Sequence, residues 1–139
     1  MRVAIAGGGN VGRFIATDLR GAGHDVQVIE QDPAVVERVV AQNGIEWVVA
    51  DACEVTSLQE AGLERCDVVV AATGDDEDNL VISLLAKQEF AVPRVIARVN
   101  HPQNEWMFNE NWGVDLSVST PHLITALVEE AVTVGRLVR

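Results

Sequence analysis

Three glycines within the first dozen residues have the spacing that holds a phosphate. Gly7, Gly9 and Gly12 follow a run of aliphatic residues and open a stretch with helical periodicity. Between a strand and a helix each glycine has its own task. Gly7 permits a tight turn, Gly9 lets a pyrophosphate approach the backbone, and Gly12 allows close packing of helix on strand. The helix start offers free N–H groups and the positive end of the peptide dipoles. The loop Gly7-Gly8-Gly9-Asn10-Val11-Gly12 is the expected phosphate cradle of a dinucleotide.

Glu30 closes the next aliphatic run, a little under the ~20 residues past the glycines at which a ribose-binding acid is expected. A carboxylate there accepts hydrogen bonds from the adenosine ribose and repels a 2′-phosphate. That favours NAD(H), or an adenine nucleotide, over NADP(H). Asp32 competes for the role, but its place before Pro33 suits a helix cap. Asp51-Ala52-Cys53 follows the third strand, where adenine would lie, and reads equally as an ordinary strand-to-helix turn. Thr73 and Gly74 follow the fourth strand on the same carboxyl edge, where ligands of open α/β sheets bind. Arg98 stands inside an apolar strand and needs an anionic partner, for which a bound phosphate is the obvious choice.

Other polar residues read as structural. Asp75-Asp76-Glu77-Asp78 suits a helix N-terminus, where the dipole stabilises each acid by about 0.3–1 kcal/mol, and no metal is needed to explain it. His24, His101 and His122 stand alone without metal-ligand spacing. Tyrosine is absent, no serine stands in a nucleophile elbow, and Cys53 and Cys66 are too far apart for a CxxC pair. The equipment of an enzyme is missing.

Strands and helices must alternate to position these residues. Strands are expected at Arg2–Ala6, Asp25–Glu30, Ile45–Ala50, Asp67–Ala72, Arg94–Val99 and Val114–Val118. The first helix, about 11–20, carries Val11, Phe14, Ile15 and Leu19 on one face. The second buries Val35, Val36, Val39 and Val40 and stops at Asn43-Gly44. Further helices span about 57–61, 77–90 and 101–111, and a last one runs from Thr120 to the C-terminus. Short βα connections imply right-handed crossovers and a parallel sheet covered on both faces. The fold is α/β: a doubly wound parallel sheet, a Rossmann-type dinucleotide-binding domain filling residues 1–139.

Composition narrows the partners. The net charge is −11 and Lys87 is the only lysine, so nucleic acid and anionic membrane surfaces are repelled. No apolar run reaches the roughly 20 residues of a membrane span. Met1 leads almost directly into a strand, leaving no room for a signal peptide, and a cytoplasmic location is expected. The last helix carries Leu123, Ile124, Leu127, Val128, Ala131, Val132, Val134, Leu137 and Val138 on more than one stripe, which suits packing against its own sheet and a second copy of the chain.

Taken in order, Gly7–Gly12, Glu30, Asp51 before Ala52, the segment Ala71–Asp76 with Asn79-Leu80, and Val95–Asn100 resemble the nucleotide-binding domain that regulates conductance of potassium. The likeness is strongest to regulatory subunits of Trk-type bacterial potassium uptake and covers nearly the whole chain. The resemblance implies a non-catalytic cytoplasmic protein that binds NAD(H), or ATP and ADP, and assembles as a dimer or larger oligomer beneath a membrane-embedded potassium transporter. By position, Gly7, Gly9, Asn10 and Val11 would hold the pyrophosphate, Glu30 the ribose, Thr73 and Gly74 the nucleotide's length, and Arg98 its phosphates. Some relatives carry an arginine where Asn10 stands, a role Arg13 could take one turn later. Many continue into a second ligand-binding domain. The alternative reading is the cofactor half of an NAD-dependent oxidoreductase, for which 139 residues leave no substrate domain.

Overall fold

The computed structural model describes residues 1–39 and 44–137. Six strands are present among them: β1 (Arg2–Ala6), β2 (Asp25–Glu30), β3 (Ile45–Val49), β4 (Val68–Ala71), β5 (Arg94–Val99) and β6 (Leu116–Ser119). All pair in parallel, in the order β3-β2-β1-β4-β5-β6. The chain steps outward from β1 to β3, then returns to lay β4 on the other side of β1. At that reversal the loops beyond the strands diverge, which leaves a crevice at the carboxyl edge.

The helices are α1 (Asn10–Gly21), α2 (Pro33–Val39), α3 (Val55–Glu60), α4 (Asp76–Gln88) and α5 (Thr120–Leu137). Alternation along the strands sorts two cores. Val3 and Ile5 join Val26, Val28 and Val70 under Ala16 of α1, while Ala4, Ala6, Ala71 and Ala97 meet Leu58 of α3 and Leu80 and Ile82 of α4. The small alanines let the larger helical side chains reach the sheet. Because both faces are covered, the central strands read as unbroken apolar runs.

Four expectations are corrected. The buried stripe of α1 is Gly12, Ile15, Ala16 and Leu19, whereas Val11 and Phe14 are exposed. The set 12, 15, 16, 19 spans a narrower arc than 11, 14, 15, 19, and the small Gly12 and Ala16 let that face approach the sheet. The segment expected as one helix from His101 to Asn111 forms two 3₁₀ turns, Pro102–Met107 and Glu110–Trp112. Asparagines compete with the backbone there: Asn109 Oδ1 accepts from the Asn111 N–H at 3.0 Å. The sixth strand begins at Leu116, because Val114 and Asp115 turn in from the second 3₁₀ segment.

The fourth correction concerns α5. It was expected to pack one stripe on its own sheet, yet every residue from Thr120 to Val134 is exposed. On the α1 side of the sheet, β6 keeps Leu116 56% exposed, and Ile96 and Arg98 share that face with it. Among the described residues no helix is long and apolar enough to cross a membrane. Val40, Asn43, Val138 and the side chains of Val39 and Leu137 lie outside what is described.

Candidate functional site

The glycine loop is built around close approaches. Gly7 has φ +110°, and a side chain there would press on the Ala72 carbonyl at 2.8 Å. Gly12 packs against the Gly7 carbonyl so closely that a methyl group would overlap it. Gly8 faces Trp47 of β3, whose ring would meet an added Cβ at 2.8 Å. Gly9 differs from these, since nothing lies within 4 Å of where its Cβ would stand. It is the N-cap of α1 in extended conformation and makes no side-chain cap, so the first N–H groups of the helix face outward. Three of the four glycines are required by the protein itself, and the fourth leaves open space beside a helix N-terminus.

Glu30 ends β2 beneath this loop. Its Oε1 accepts from the Gly8 N–H at 2.8 Å and its Oε2 from the Asp32 N–H at 2.8 Å. Each carboxylate oxygen retains a second lone pair for a further donor. Asp32, the competing acid, accepts from the Ala34 N–H at 2.9 Å and caps α2. Asp51 makes an ordinary strand-to-helix turn, accepting from the Cys53 N–H at 2.9 Å, and it also borders the crevice. The turn reading of that segment therefore holds, and its place on the crevice is compatible with a ligand contact.

One cleft at the carboxyl edge is lined by Gly7, Glu30, Asp51, Ala52 and Thr73, brought from the ends of four strands, together with Cys53 and Asp78. A second opens between α1 and α2, where Gly8, Gly9 and Asn10 meet Arg13 and Arg38. Val11 and Gly74 are exposed beside these clefts. Arg98 lies apart from both; it is half-buried on β5, and its guanidinium meets no acceptor among the described residues. Arg13, the candidate substitute for an arginine at position 10, donates one N–H to Asn10 Oδ1 and keeps its Nε without a partner among the described residues.

Burial, with Asp78 and Asp51 close by, pushes the Cys53 thiol up to about 12. It stays protonated at neutral pH and is a poor nucleophile. What the sequence did not disclose is the polar lattice behind Thr73. Asn79 Oδ1 accepts from the Thr73 N–H at 3.0 Å and its hydroxyl at 2.7 Å, and Asp75 caps α4 through the Asp78 N–H. Asp76, within the same acidic run, is buried. Burial alone would raise its carboxyl, but hydrogen bonds from Asn100, Asn104 and His101 bring it below the usual range. The only sequence signal was the set of asparagines at 79, 100 and 104, which lie apart in the chain and meet only in the fold.

Residues 3–120 match the family model of the TrkA-N domain. The chain belongs to the TrkA-N family. A Trk system potassium uptake protein TrkA from Mycobacterium tuberculosis is 55% identical over 139 residues, which is 100% of this chain and 63% of that protein. The chain thus spans a little under two thirds of that relative. Among solved structures, the TrkA-N domain of inner membrane protein ybaL from Escherichia coli has a TM-score of 0.82 at 21% identity, covering 94% of this chain and 95% of that one. The GsuK channel bound to NAD has a TM-score of 0.75 at 18% identity, covering 84% of this chain and 21% of that one. A GsuK structure bound to ADP has a TM-score of 0.75 at 23% identity, covering 92% and 32%. At such identities these structures establish the α/β fold that the TrkA-N domain shares with them.

Proposed function

We propose that this TrkA-N domain is the nucleotide-sensing part of a regulatory subunit for potassium uptake. Its ligand is NAD(H), with ATP or ADP as the competing nucleotides, and it catalyses no reaction. The observation that carries the reading is the open space at Gly9. A glycine whose Cβ would touch nothing, at the cap of a free helix N-terminus, is the room a pyrophosphate needs.

Gly7, Gly8, Gly9, Asn10, Val11 and Gly12 hold the pyrophosphate, Glu30 takes the ribose hydroxyls on its spare lone pairs, and Asp51 and Ala52 border adenine. Thr73 and Gly74 run along the nucleotide, whereas Arg98, outside both clefts, is left without a part in this reading. NAD bound to the GsuK channel supports that ligand class. TrkA relatives support a membrane-embedded potassium transporter as the partner, which makes the domain a cytoplasmic protein peripheral to the membrane. A second copy pairs through residues 120–139.

Calorimetric titration of the wild type and Gly9→Val with NADH tests the reading. A Cβ at this position meets no protein atom within 4 Å, so the variant should fold while its affinity drops at least a hundredfold. Equal affinities in the two proteins would move the phosphates away from this loop.

A further inference from the structure

Asp76 is 5% exposed in the first turn of α4, and all the acceptor capacity of its carboxylate is used inside the protein. Its Oδ1 accepts from the Asn100 N–H at 2.6 Å and from Asn100 Nδ2 at 3.1 Å; its Oδ2 accepts from the His101 N–H at 3.0 Å and from Asn104 Nδ2 at 2.9 Å. Asn100 Nδ2 also donates to the Thr73 carbonyl at 2.9 Å, and Asn79 Nδ2 donates to the carbonyls of Thr73 and Arg98 at 3.1 and 2.9 Å. The loop after β4 and the loop after β5 are therefore pinned to one carboxylate. A helix-dipole role needs none of these partners, since an exposed acid would serve it.

A doubly wound sheet binds a dinucleotide as two mononucleotide halves either side of the strand-order reversal. Glu30 and Asp51 stand on the β1-β2-β3 side, which takes the adenosine half. Thr73, Asp76 and Asn100 stand on the β4-β5 side. We propose that Asp76 is a positioning residue that fixes this second edge, and that it thereby sets the preference for a dinucleotide over an adenosine mono- or diphosphate. Asp76 itself touches no nucleotide. The proposal rests on the nucleotide reading above.

Titration of the full chain with NADH and, separately, with ADP tests it, in the wild type, Asp76→Asn and Asn104→Ala, with thermal melts alongside. Asparagine at 76 turns an amide N–H₂ toward donors, so NADH affinity should fall at least tenfold while ADP affinity stays within twofold. Asn104→Ala removes one donor and should show the same split in milder form; it decides the matter if Asp76→Asn does not fold. A parallel loss of both ligands, or unchanged NADH affinity in folded variants, overturns the proposal and leaves nucleotide binding standing. A wild type that takes ADP but not NADH overturns it as well. A wild type that binds neither overturns the nucleotide reading and this proposal with it.

Discussion

At the scale of single residues, the glycine loop and Glu30 do two jobs that mutation can separate. Gly12→Ala places a methyl group on the Gly7 carbonyl and should destabilise the fold, whereas Gly9→Val should cost only binding. Glu30→Ala should do both. It removes repulsion of a 2′-phosphate, so the preference for NADH over NADPH should narrow, and it strips acceptors from the Gly8 and Asp32 N–H groups. Losing such partners costs about 1–3 kcal/mol where the groups are shielded from water. Paired melts and titrations measure the two effects, and a wild type that already binds NADPH as tightly as NADH would contradict this role for Glu30. Two other carboxylates contribute to stability in acid. Asp76 is lowered as described, and burial of Asp115 is outweighed by Lys87 Nζ at 2.7 Å and the Val95 N–H at 2.7 Å. Both lose protons more readily folded than unfolded. Their stabilisation is complete above the unfolded carboxylate value near ~3.9 and is lost as pH falls through the folded values. Asp115→Asn should therefore flatten the acid limb of a stability–pH curve, and an unchanged limb would remove Asp115 from the account.

At the scale of elements, what was legible followed from periodicity and what was not followed from competition. β1, β2 and β5 fall where their aliphatic runs put them, β1 and β2 as central strands with both faces covered and β5 through the alternation of buried Val95, Ala97 and Val99. Asp32-Pro33 and Asp75 mark helix starts by capping chemistry alone. The stretch from Pro102 to Trp112 misled because Asn109 closes local turns and Asn104 is drawn to Asp76, which a helical count of apolar residues ignores. Helix α5 misled differently: its apolar residues are real, but its own sheet does not cover them. Leu123, Ile124, Leu127 and Val128 are 51–56% exposed. Burying one such side chain is worth about 1.5–3 kcal/mol, so a second copy laid on this helix gains a large driving force. Sedimentation should show a dimer or larger species, and Leu127→Asp or Val134→Asp should shift it toward monomer with nucleotide affinity preserved. A wild-type monomer at high micromolar concentration would contradict pairing through α5.

At the scale of the whole molecule, the site is a consequence of topology. The reversal between β1 and β4 gathers Gly7, Glu30, Asp51, Ala52 and Thr73 at one crevice although up to 66 residues separate them. The sequence disclosed these residues because each stands at or just past the end of a strand on the carboxyl edge, where ligands of open α/β sheets bind. It did not disclose the Asp76 lattice, whose members meet only after β4 and β5 are paired. Nor did it show that Arg98 would stand outside both clefts, since strand alternation sets its face and the clefts lie elsewhere. A regulator of this kind should also be inert as a redox enzyme. NADH incubated with small carbonyl compounds should be oxidised no faster than in buffer, and turnover within the usual enzymatic range of about 1–10³ s⁻¹ would favour an oxidoreductase. The central claim is that a nucleotide lies across the switch point. Hydrogen exchange with and without saturating NADH tests that most directly. The account predicts slowed exchange confined to the amides of residues 7–12, 30–32, 51–53 and 73–75, with the remaining strands unchanged. Protection elsewhere, or none at saturating nucleotide, would contradict it.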